Sequence, residues 1–500
     1  MVGNNHTTME QQFKQFKVFG YTVTEQEIKE RTVEVLDRKT GQPTGKVVHV
    51  KGENRKVGHV AQQIEKIGDP DAAMLNNTQT ALQQLINAEL KANEDAIDFS
   101  TEVVAFMDPD TRKAQWAYFA SFLKVGKNAS KPTALYDSNL TVIYSWDDIS
   151  SYAPPSQLKS ILGLGGNAKI GKYRYGVKGA PKLMVKEEGG RCVYENGKAR
   201  VVNLKERDIY DHSGYNKTFE QSCGELSEDE TNGAYGPMND ALYLGALVYD
   251  MYQEPYKTPP LKNVSEITIK LHFGGAPFAG WYKNYLFISD GDNLHFPSLA
   301  LDVIAHEISH GVTEENSNLK NFGEPGALKE SFSDMAGVTA LRYLGEKEGK
   351  GDKYVSWRVG EDVFRKEHQQ FRCMDKVCDD TSITHVREFT SKWIDPHRSS
   401  GIFNKVFYLM SKKFKNDVFD AFDIFYLANL YYWKQLTNLK EAAEWVLQTI
   451  DDMKDAKITD WSYDHLDPQD AVEIFKEVGL ACQRAPEKKK LPFWACKKEI

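Results

Sequence analysis

The sequence has no cysteine before Cys192, and the six cysteines of this 500-residue chain all lie between Cys192 and Cys496. An even number of cysteines confined to one part of a chain is typical of disulfides formed in an oxidising compartment. Six unpaired core thiols in a cytosolic protein are the alternative. The N-x-S/T sequons, which also favour secretion, begin at Asn5, Asn76, Asn128, Asn139, Asn216 and Asn263.

The sequence also lacks long apolar runs and an excess of positive charge. No segment has the roughly 18 consecutive apolar residues of a transmembrane helix, and the polar residues 1–14 contain no apolar signal-peptide core. The formal net charge is -8, whereas proteins that bind nucleic acid electrostatically are usually basic. We therefore expect no membrane span and no nucleic-acid partner, and we expect a secreted protein whose signal peptide is not visible in this sequence.

The composition is that of a globular protein with several domains. Hydrophobic residues make up 41% of the chain and charged residues 27%, and the length predicts about three domains. Pro154-Pro155 and the glycine-rich run 163–166 predict a linker between Ala153 and Gly166. This linker candidate lies just before the first cysteine.

Secondary-structure patterns differ on the two sides of this linker. Before it, residues 73–94 have a helical pattern, and residues 135–144 predict a β-hairpin. After it, short strands and one helix near 239–252 extend to about residue 295. The other predicted helices cover 299–312 (capped by Ser298), 327–345, 399–414, 418–435, 439–453 and 468–478.

The first helix of that series carries His306-Glu307-Ile308-Ser309-His310. Two histidines four residues apart lie about 40° apart around a helix and about 6 Å apart along it, so both imidazoles can bind one metal ion. Glu307 is held on the same helix, where it can act on a zinc-activated water. The motif predicts a catalytic zinc site, and two surface histidines on an amphipathic helix are the alternative.

The third ligand separates the classes of zinc peptidase. A metzincin would have glycine and histidine where this chain has Thr313 and Asn316, which excludes that class. Glu330, on the next helix, can complete a His-His-Glu set that leaves one position open for water. Asp334, four residues later, can accept the second ring N–H of a histidine ligand. Without the first motif, this acidic pair would indicate only a solvated helix face.

Longer segments around these residues resemble the thermolysin family of zinc endopeptidases, in particular its vibriolysin and pseudolysin branch. The resemblance covers about residues 130–483. It implies an α+β fold with a β-rich N-terminal lobe and a mainly α-helical C-terminal lobe, preceded by an α/β propeptide. The matching segments are NAKIGKYRYG at 167–176, NGAYGPMNDALYLG at 232–245, the zinc-motif segment 301–317, GALKESFSDMAG at 326–337 and HRSSGIFNKVFYLM at 397–410.

The resemblance also implies a domain order and a function. The domains are a propeptide-like domain at 1–150, a linker and processing region at 151–167, an N-terminal catalytic lobe at 168–315, a helical catalytic lobe at 316–484 and a tail at 485–500. The implied function is a secreted zinc endopeptidase, made as a zymogen and inhibited noncovalently by its own propeptide. A catalytically weakened zinc- or peptide-binding protein and an intracellular peptidase are the alternatives.

The site residues follow from the same resemblance. It implies one zinc ion held by His306, His310 and Glu330, with Glu307 as general base and His397 stabilising the oxyanion. The supporting residues that it implies are Asp334 beside His306, Asp395 beside His397, Arg372 as donor to the P1′ carbonyl, and Asn321. The implied substrate-binding residues are Ala279 and Trp281 on the backbone-binding edge and Leu299, Val303 and Phe371 in an apolar S1′ pocket. That pocket predicts cleavage on the amino side of bulky apolar residues.

Two departures from the family pattern concern catalysis and calcium. Asn321 replaces the family's oxyanion tyrosine, and Phe278 replaces an asparagine of the substrate edge. The calcium site is depleted, because a calcium ion needs six to eight oxygens and only two of the family's acids are kept. The calcium-site positions are Asp302 and Glu361, which are retained, and Leu341, Ser356 and Arg358, which replace acids.

The resemblance pairs Cys192 with Cys223. Cys482 matches one member of a second family pair whose usual partner is absent, and Cys496 is its predicted replacement. This leaves Cys373 with Cys378. The last two pairings are chosen among 15 possible connectivities.

Overall fold

The computed structural model describes most of the chain, in two units. One unit comprises residues 2–33 and 47–151, and the other comprises Met1 and residues 34–46 and 152–500. We call them the amino-terminal and the carboxy-terminal unit. The described residues are 5–13, 16–37, 40, 42–57, 67–90, 95–107, 114–125, 132–147, 158–177, 180–205, 217–223, 229–274, 278–282, 284–375, 382–391, 394–414, 417–459, 461–485, 492 and 494–499.

A seven-stranded sheet forms most of the amino-terminal unit, in the order β1-β2-β6-β7-β8-β9 with β5 beside β2. The strands β3 and β4 pair separately with each other. The bounds are β1 Asn5–Phe13, β2 Phe16–Ile28, β3 Arg31–Leu36, β4 Pro43–Val50, β5 Glu53–Val57, β6 Asp95–Met107, β7 Ala114–Val125, β8 Pro132–Tyr136 and β9 Val142–Asp147, with helices α1 Ala72–Asn76 and α2 Thr78–Glu89.

The helix predicted at 73–94 is shorter than expected and consists of two helices. The first, α1, is capped by Asp71, whose side chain accepts from the Ala73 N–H, and Asn77 separates it from α2. Leu82 and Leu85 of α2 pack in one buried cluster with residues of the sheet, which explains why this face is apolar. The predicted hairpin is confirmed, since β8 and β9 pair antiparallel.

Short sheets and long helices form the carboxy-terminal unit. Its four-stranded sheets have the orders β10-β13-β14-β16 and β15-β17-β19-β18. The strands are β10 Leu158–Ile161, β11 Gly163–Asn167, β12 Gly171–Tyr175, β13 Leu183–Glu188, β14 Arg191–Val193, β15 Ala199–Asn203, β16 Glu220–Ser222, β17 Ile267–Phe273, β18 Ala279–Tyr282, β19 Tyr285–Ser289, β20 Arg358–Val359, β21 Arg372–Cys373, β22 Leu480–Arg484 and β23 Trp494–Lys498.

The helices after residue 295 occur where the sequence predicts them, with different ends. Ser298 does not cap the first one, which begins at Leu301 after Ala300. The next begins at Gly323 and includes Pro325, which the first turn of a helix tolerates. The bounds are α3 Pro237–Tyr256, α4 Leu301–Glu315, α5 Gly323–Lys347, α6 Pro396–Ser399, α7 Gly401–Lys413, α8 Val418–Tyr431, α9 Leu439–Lys454 and α10 Pro468–Glu477. Over the described residues, no helix is both long and apolar enough to span a membrane.

The glycine-rich part of the predicted linker is a buried strand, β11, so the interpretation of 163–166 as linker is wrong. A Cβ at Gly165 would lie 2.4 Å from Asp240 Oδ1. The Asp240 carboxylate accepts from the Gly166 N–H at 2.9 Å and from the Tyr175 hydroxyl at 2.7 Å. These glycines therefore allow close packing on α3. Of the predicted region 151–167, residues 151–157 lie outside the described residues.

Two disulfides are confirmed, Cys192–Cys223 and Cys482–Cys496. Cys373 is also disulfide-bonded, but its predicted partner at position 378 lies outside the described residues. The second bridge closes the hairpin of β22 and β23, so the described part of the tail is a strand of the carboxy-terminal unit. Lys498 at its end forms an ion pair with Glu324 in the first turn of α5.

Close packing of α4 against α5 positions the residues of the zinc motif. A Cβ at Gly337 of α5 would lie 2.8 Å from the Asp302 carbonyl oxygen of α4. Because glycine leaves this space free, the two helix backbones approach each other directly. Glu330, two turns before Gly337, consequently faces the histidines of α4.

Candidate active site

Three potential metal ligands converge between α4 and α5. One ligand atom each from His306, His310 and Glu330 lies within 4.8 Å of the others. His306 Nε2 is 3.3 Å from Glu330 Oε2, and His310 Nε2 is 3.7 Å from Glu330 Oε1. The Glu330 Oε2 atom is buried and has no hydrogen-bond partner. Two imidazoles and an unsatisfied buried carboxylate are the donor set of a catalytic zinc site, so these residues fit zinc.

Asp334 bonds the side of the His306 ring that faces away from Glu330. Its fully buried carboxylate accepts from His306 Nδ1 at 2.9 Å and from Arg372 Nε and Nη2, both at 2.7 Å. Asn404 Nδ2 donates to the same carboxylate at 2.8 Å. Burial alone would raise the pKa of Asp334, but the Arg372 guanidinium and the bond from His306 hold it well below its ordinary value. The carboxylate therefore stays charged and fixes the His306 ring with Nε2 toward Glu330.

Three residues around the ligands, Ser331, Ser333 and Asn404, were missed in the sequence analysis. Ser333 Oγ lies 3.2 Å from His310 Nδ1, so the two histidines have different outer partners. Ser331 Oγ donates to Asn404 Oδ1 at 2.7 Å and orients the amide that bonds Asp334. Ser333 follows Glu330 by three residues on one helix, which was a usable signal. Asn404 lies in a segment that resembles the family, but no local spacing connects it with Asp334.

Glu307 lies on α4 between the two histidines and is half-buried. Burial raises the pKa of its carboxyl, against the opposing effect of His306. A carboxyl with a raised pKa is better matched to exchanging protons near neutral pH than an exposed glutamate. The position and the shift both suit a group that exchanges a proton with a substrate or a water.

His397 reaches the ligand group from α6. Its Nε2 atom is 3.3 Å from Glu330 Oε2, and its Nδ1 atom is 2.9 Å from Asp395 Oδ1. Asp395 also caps α6 by accepting from the His397 N–H. Asn321 is exposed just before α5, and a Cβ added at Gly326 would lie 3.0 Å from its carbonyl carbon and 2.9 Å from Pro396 Cγ. Asn321 is therefore close to Pro396, the residue before His397 on α6.

The predicted substrate-edge residues lie on an end strand next to α4. Among the described strands, β18 pairs only with β19. Ala279 of this strand packs against a buried cluster that contains Val303. Trp281 lies over Gly311, the residue after His310, where an added Cβ would be 2.5 Å from Trp281 Cζ2. Phe278, at the start of the strand, is 44% exposed.

The remaining predicted pocket residues surround Arg372 and the start of α4. Phe371 is 38% exposed and packs against Phe364, with ring centroids 5.0 Å apart. Leu299 is partly exposed two residues before α4, and Val303 is buried one turn before Glu307. The predicted S1′ residues thus occupy α4 with its approach and the segment before β21.

Groups of the protein hold each of the two retained acids at the predicted calcium-site positions. Asp302 is buried and accepts from the Gly360 N–H at 2.7 Å and the Val303 N–H at 3.0 Å. Burial raises the pKa of Asp302 to about 6. Arg358 Nη1 lies 3.7 Å from Glu361 Oε1, so the other retained acid already faces a cation. Backbone N–H groups and an arginine hold these two carboxylates, and the depletion of the calcium site stays a prediction.

Comparison with known proteins agrees with this geometry. The family described as "Thermolysin metallopeptidase, catalytic domain" matches residues 168–314, and "Thermolysin metallopeptidase, alpha-helical domain" matches residues 317–464. The zinc metalloproteinase MspA of Legionella longbeachae is 30% identical over 471 residues, which cover 90% of this chain and 83% of that protein. The neutral protease of Vibrio proteolyticus is 32% identical over 386 residues, covering 75% of this chain and 58% of that protein.

A solved structure is also similar to part of the chain. The precursor of protealysin, a metalloproteinase from Serratia proteamaculans, superimposes with a TM-score of 0.47 at 20% identity, covering 59% of this chain and 89% of that one. The two family matches include every residue of the ligand group, and MspA is similar over most of both chains. The chain therefore belongs to the thermolysin family of metallopeptidases and is a metalloendopeptidase.

Proposed function

We propose that the protein is a secreted zinc endopeptidase, made as a zymogen, that cleaves peptides on the amino side of bulky apolar residues. The proposed catalytic activity rests on the convergence of His306, His310 and Glu330 within 4.8 Å. Glu307 lies on α4 between the two histidines. These three ligands would hold one zinc ion. Zinc bound there supplies Lewis-acid polarisation of the scissile carbonyl and lowers the pKa of water to about 7.

Glu307 is the proposed general base. Its carboxylate takes a proton from the attacking water and then delivers that proton to the leaving amine. Burial, which raises the pKa of Glu307, makes the carboxylate a stronger base and lets the protonated form persist until the amine leaves. Both transfers use the same carboxylate, so its loss stops turnover without removing a zinc ligand.

His397 is the proposed oxyanion donor. Because Asp395 holds Nδ1, the Nε2 side of the ring is the one directed at the ligand group. An N–H at Nε2 would donate to the negative charge that develops on the carbonyl oxygen, and removal of such a donor costs about 10²–10³ in rate. Arg372 uses Nε and Nη2 for Asp334, and we propose that its remaining N–H groups bond the P1′ carbonyl.

The proposed specificity comes from an apolar S1′ pocket. The support is the placement of Val303 one turn before Glu307 and of partly exposed Phe371 beside Arg372, with Leu299 at the approach to α4. An apolar P1′ side chain would bury surface against these residues, which favours it by about 25 cal/mol per Å². Ala279 and Trp281 would bind the substrate backbone along the free edge of β18.

The proposed zymogen organisation rests on the amino-terminal residues. We propose that residues 1–150 are a propeptide that inhibits the enzyme noncovalently. The part of this region that the structure describes falls mainly in a separate unit, and the absence of cysteine before Cys192 means that no propeptide thiolate can bind the zinc. Secretion is supported by the two disulfides, which form in oxidising compartments.

The experiment compares the wild type with Glu307→Gln and His397→Ala on a set of quenched peptides that differ only at P1′. We expect about one zinc per chain in all three proteins, no detectable turnover in Glu307→Gln, and a rate about 10²–10³ lower in His397→Ala. Leu and Phe at P1′ should be cleaved fastest, and Asp slowest. Equal rates across the P1′ series would refute the pocket, and full activity in Glu307→Gln would refute the general base.

A further inference from the structure

Lys329 is a buried ammonium group that the proposed mechanism does not use. It immediately precedes the metal ligand Glu330 on α5 and is only 4% exposed. A buried lysine needs a counter-charge, because the free energy of desolvating an isolated ammonium is several kcal/mol or more. Glu314 supplies this charge, with its Oε1 atom 3.0 Å from Lys329 Nζ. The pair joins α5 to α4 at the level of the metal ligands.

The second oxygen of the same carboxylate binds a residue of β18, the proposed substrate-binding edge. Glu314 Oε2 accepts from the Trp281 indole N–H at 3.0 Å. Glu314 is four residues after His310, so both lie on one face of α4. One carboxylate therefore connects three elements: the helix of His310, the helix of Glu330 through Lys329, and the strand β18 through Trp281.

The indole ring cannot move far without losing this bond. Trp281 lies directly on the backbone of α4, since a Cβ at Gly311 would be 2.5 Å from Cζ2 and 2.8 Å from Cε2. In the part of the sheet that the structure describes, β18 pairs with β19 alone. The ring on Gly311 and the N–H on Glu314 thus fix Trp281 and, together with Ala279 packed near Val303, hold this strand against the helix of the zinc motif.

We propose that Glu314 is a positioning residue that sets the substrate-binding edge relative to the zinc ligands, through the connection Lys329–Glu314–Trp281. The inference rests on the proposed function, because it takes β18 as the backbone-binding edge. It assigns Glu314 two separable tasks. The carboxylate neutralises the buried ammonium of Lys329, the residue before the metal ligand Glu330, and it anchors Trp281, which keeps β18 in place.

These two tasks predict different signatures. Glu314→Gln keeps the shape but removes the charge, so we expect zinc affinity to fall about tenfold, as for losses of other outer partners, and KM to rise several-fold. Trp281→Phe keeps an aromatic side chain but replaces the indole by a smaller phenyl ring without the N–H, so KM should rise with zinc affinity unchanged. Lys329→Met combined with Glu314→Gln removes the uncompensated charge. This double variant should recover zinc affinity to within about threefold of the wild type while KM stays raised.

The measurements are KM and kcat on a quenched peptide with Leu at P1′, and the zinc dissociation constant by competition with a chelator. Glu315→Gln is the matched control. Glu315 is the next residue on α4, and its carboxylate bonds only backbone at Lys262 and Asn263 among the described hydrogen bonds. We expect the control to change neither KM nor zinc affinity.

The proposal is overturned if Glu314→Gln leaves both quantities at the wild-type value, or if zinc affinity does not recover in the double variant. It is also overturned if Trp281→Phe has the wild-type KM. If Glu314→Gln does not fold, Trp281→Phe and Lys329→Met can still be measured. Failure of the proposed function has a different signature, which is no peptide turnover in the wild type. The zinc measurements test the charge-neutralising task in that case too.

Discussion

Asp334→Asn perturbs the residue on which most of the site's hydrogen bonds converge. The wild-type carboxylate is fully buried and accepts from His306, from Arg372 twice and from Asn404. An asparagine of the same shape keeps one acceptor oxygen and turns an NH₂ group toward these donors. Arg372, only 13% exposed, also loses its counter-charge. Removing one partner of a buried ion pair costs about 3–5 kcal/mol.

The variant should therefore lose about 3–5 kcal/mol in free energy of unfolding and about 10–100-fold in zinc affinity, since the outer partner of a ligating histidine orients the ring. Urea unfolding measures the first quantity, in a Glu307→Gln background that prevents self-digestion. Chelator competition measures the second. Asp352→Asn is the control, because Asp352 is 62% exposed and also pairs with an arginine. Arg342 keeps a second partner in Glu346 when Asp352 is replaced, so the loss should stay below about 1 kcal/mol.

A loss below about 1 kcal/mol in Asp334→Asn, equal to the loss in the control, would refute the reasoning on the buried pair. Unchanged zinc affinity would refute the role of Asp334 in orienting His306. Each result can occur without the other, so the two assays separate a stability role from a ligand-positioning role.

Three further predictions concern other parts of the molecule. Burial raises the pKa of Asp240 to about 6, above the roughly 3.9 of an unfolded aspartate, so its contribution to stability is complete below about pH 4 and is lost as the pH rises through about 6. Relative to Asp240→Asn, the wild type should lose up to about 3 kcal/mol between pH 4 and 7, and a pH-independent difference in urea unfolding would contradict this. Replacing Cys482 and Cys496 together by serine should lower the free energy of unfolding by about 2–4 kcal/mol. An unchanged urea midpoint would show that this disulfide does not stabilise the protein. Dialysis against a calcium-selective chelator should leave Tm within about 2 °C of its value before dialysis, since a shift of about 4 °C corresponds to roughly 1 kcal/mol or more. A sharp fall in Tm would show that the protein does bind a stabilising calcium ion.

The features that local spacing determines could be predicted from the sequence. The i, i+4 spacing places His306 and His310 on one face of a helix regardless of the rest of the fold. Glu330 and Asp334 follow the same rule on α5. The pairing of Cys192 with Cys223 came from the resemblance instead, because spacing alone does not select among connectivities.

The features that depend on tertiary packing could not be predicted in this way. Residues 163–166 have the composition of a flexible linker, and only tertiary contacts, such as that of Gly165 with Asp240, make the glycines necessary for a buried strand. Asn404 meets Asp334 across 70 residues of sequence. The bond from Trp281 to Glu314 likewise joins two elements that no periodicity relates. Such contacts are set when the helices and strands assemble, which a one-dimensional pattern does not record.

The most direct test of the central claim is one sample assayed for both zinc and peptide hydrolysis, as wild type and as Glu307→Gln. The account predicts about one zinc per chain in both proteins and turnover of a Leu-P1′ peptide in the wild type alone. Zinc in both proteins with no turnover in either, across several P1′ residues, would contradict it and favour a zinc- or peptide-binding protein.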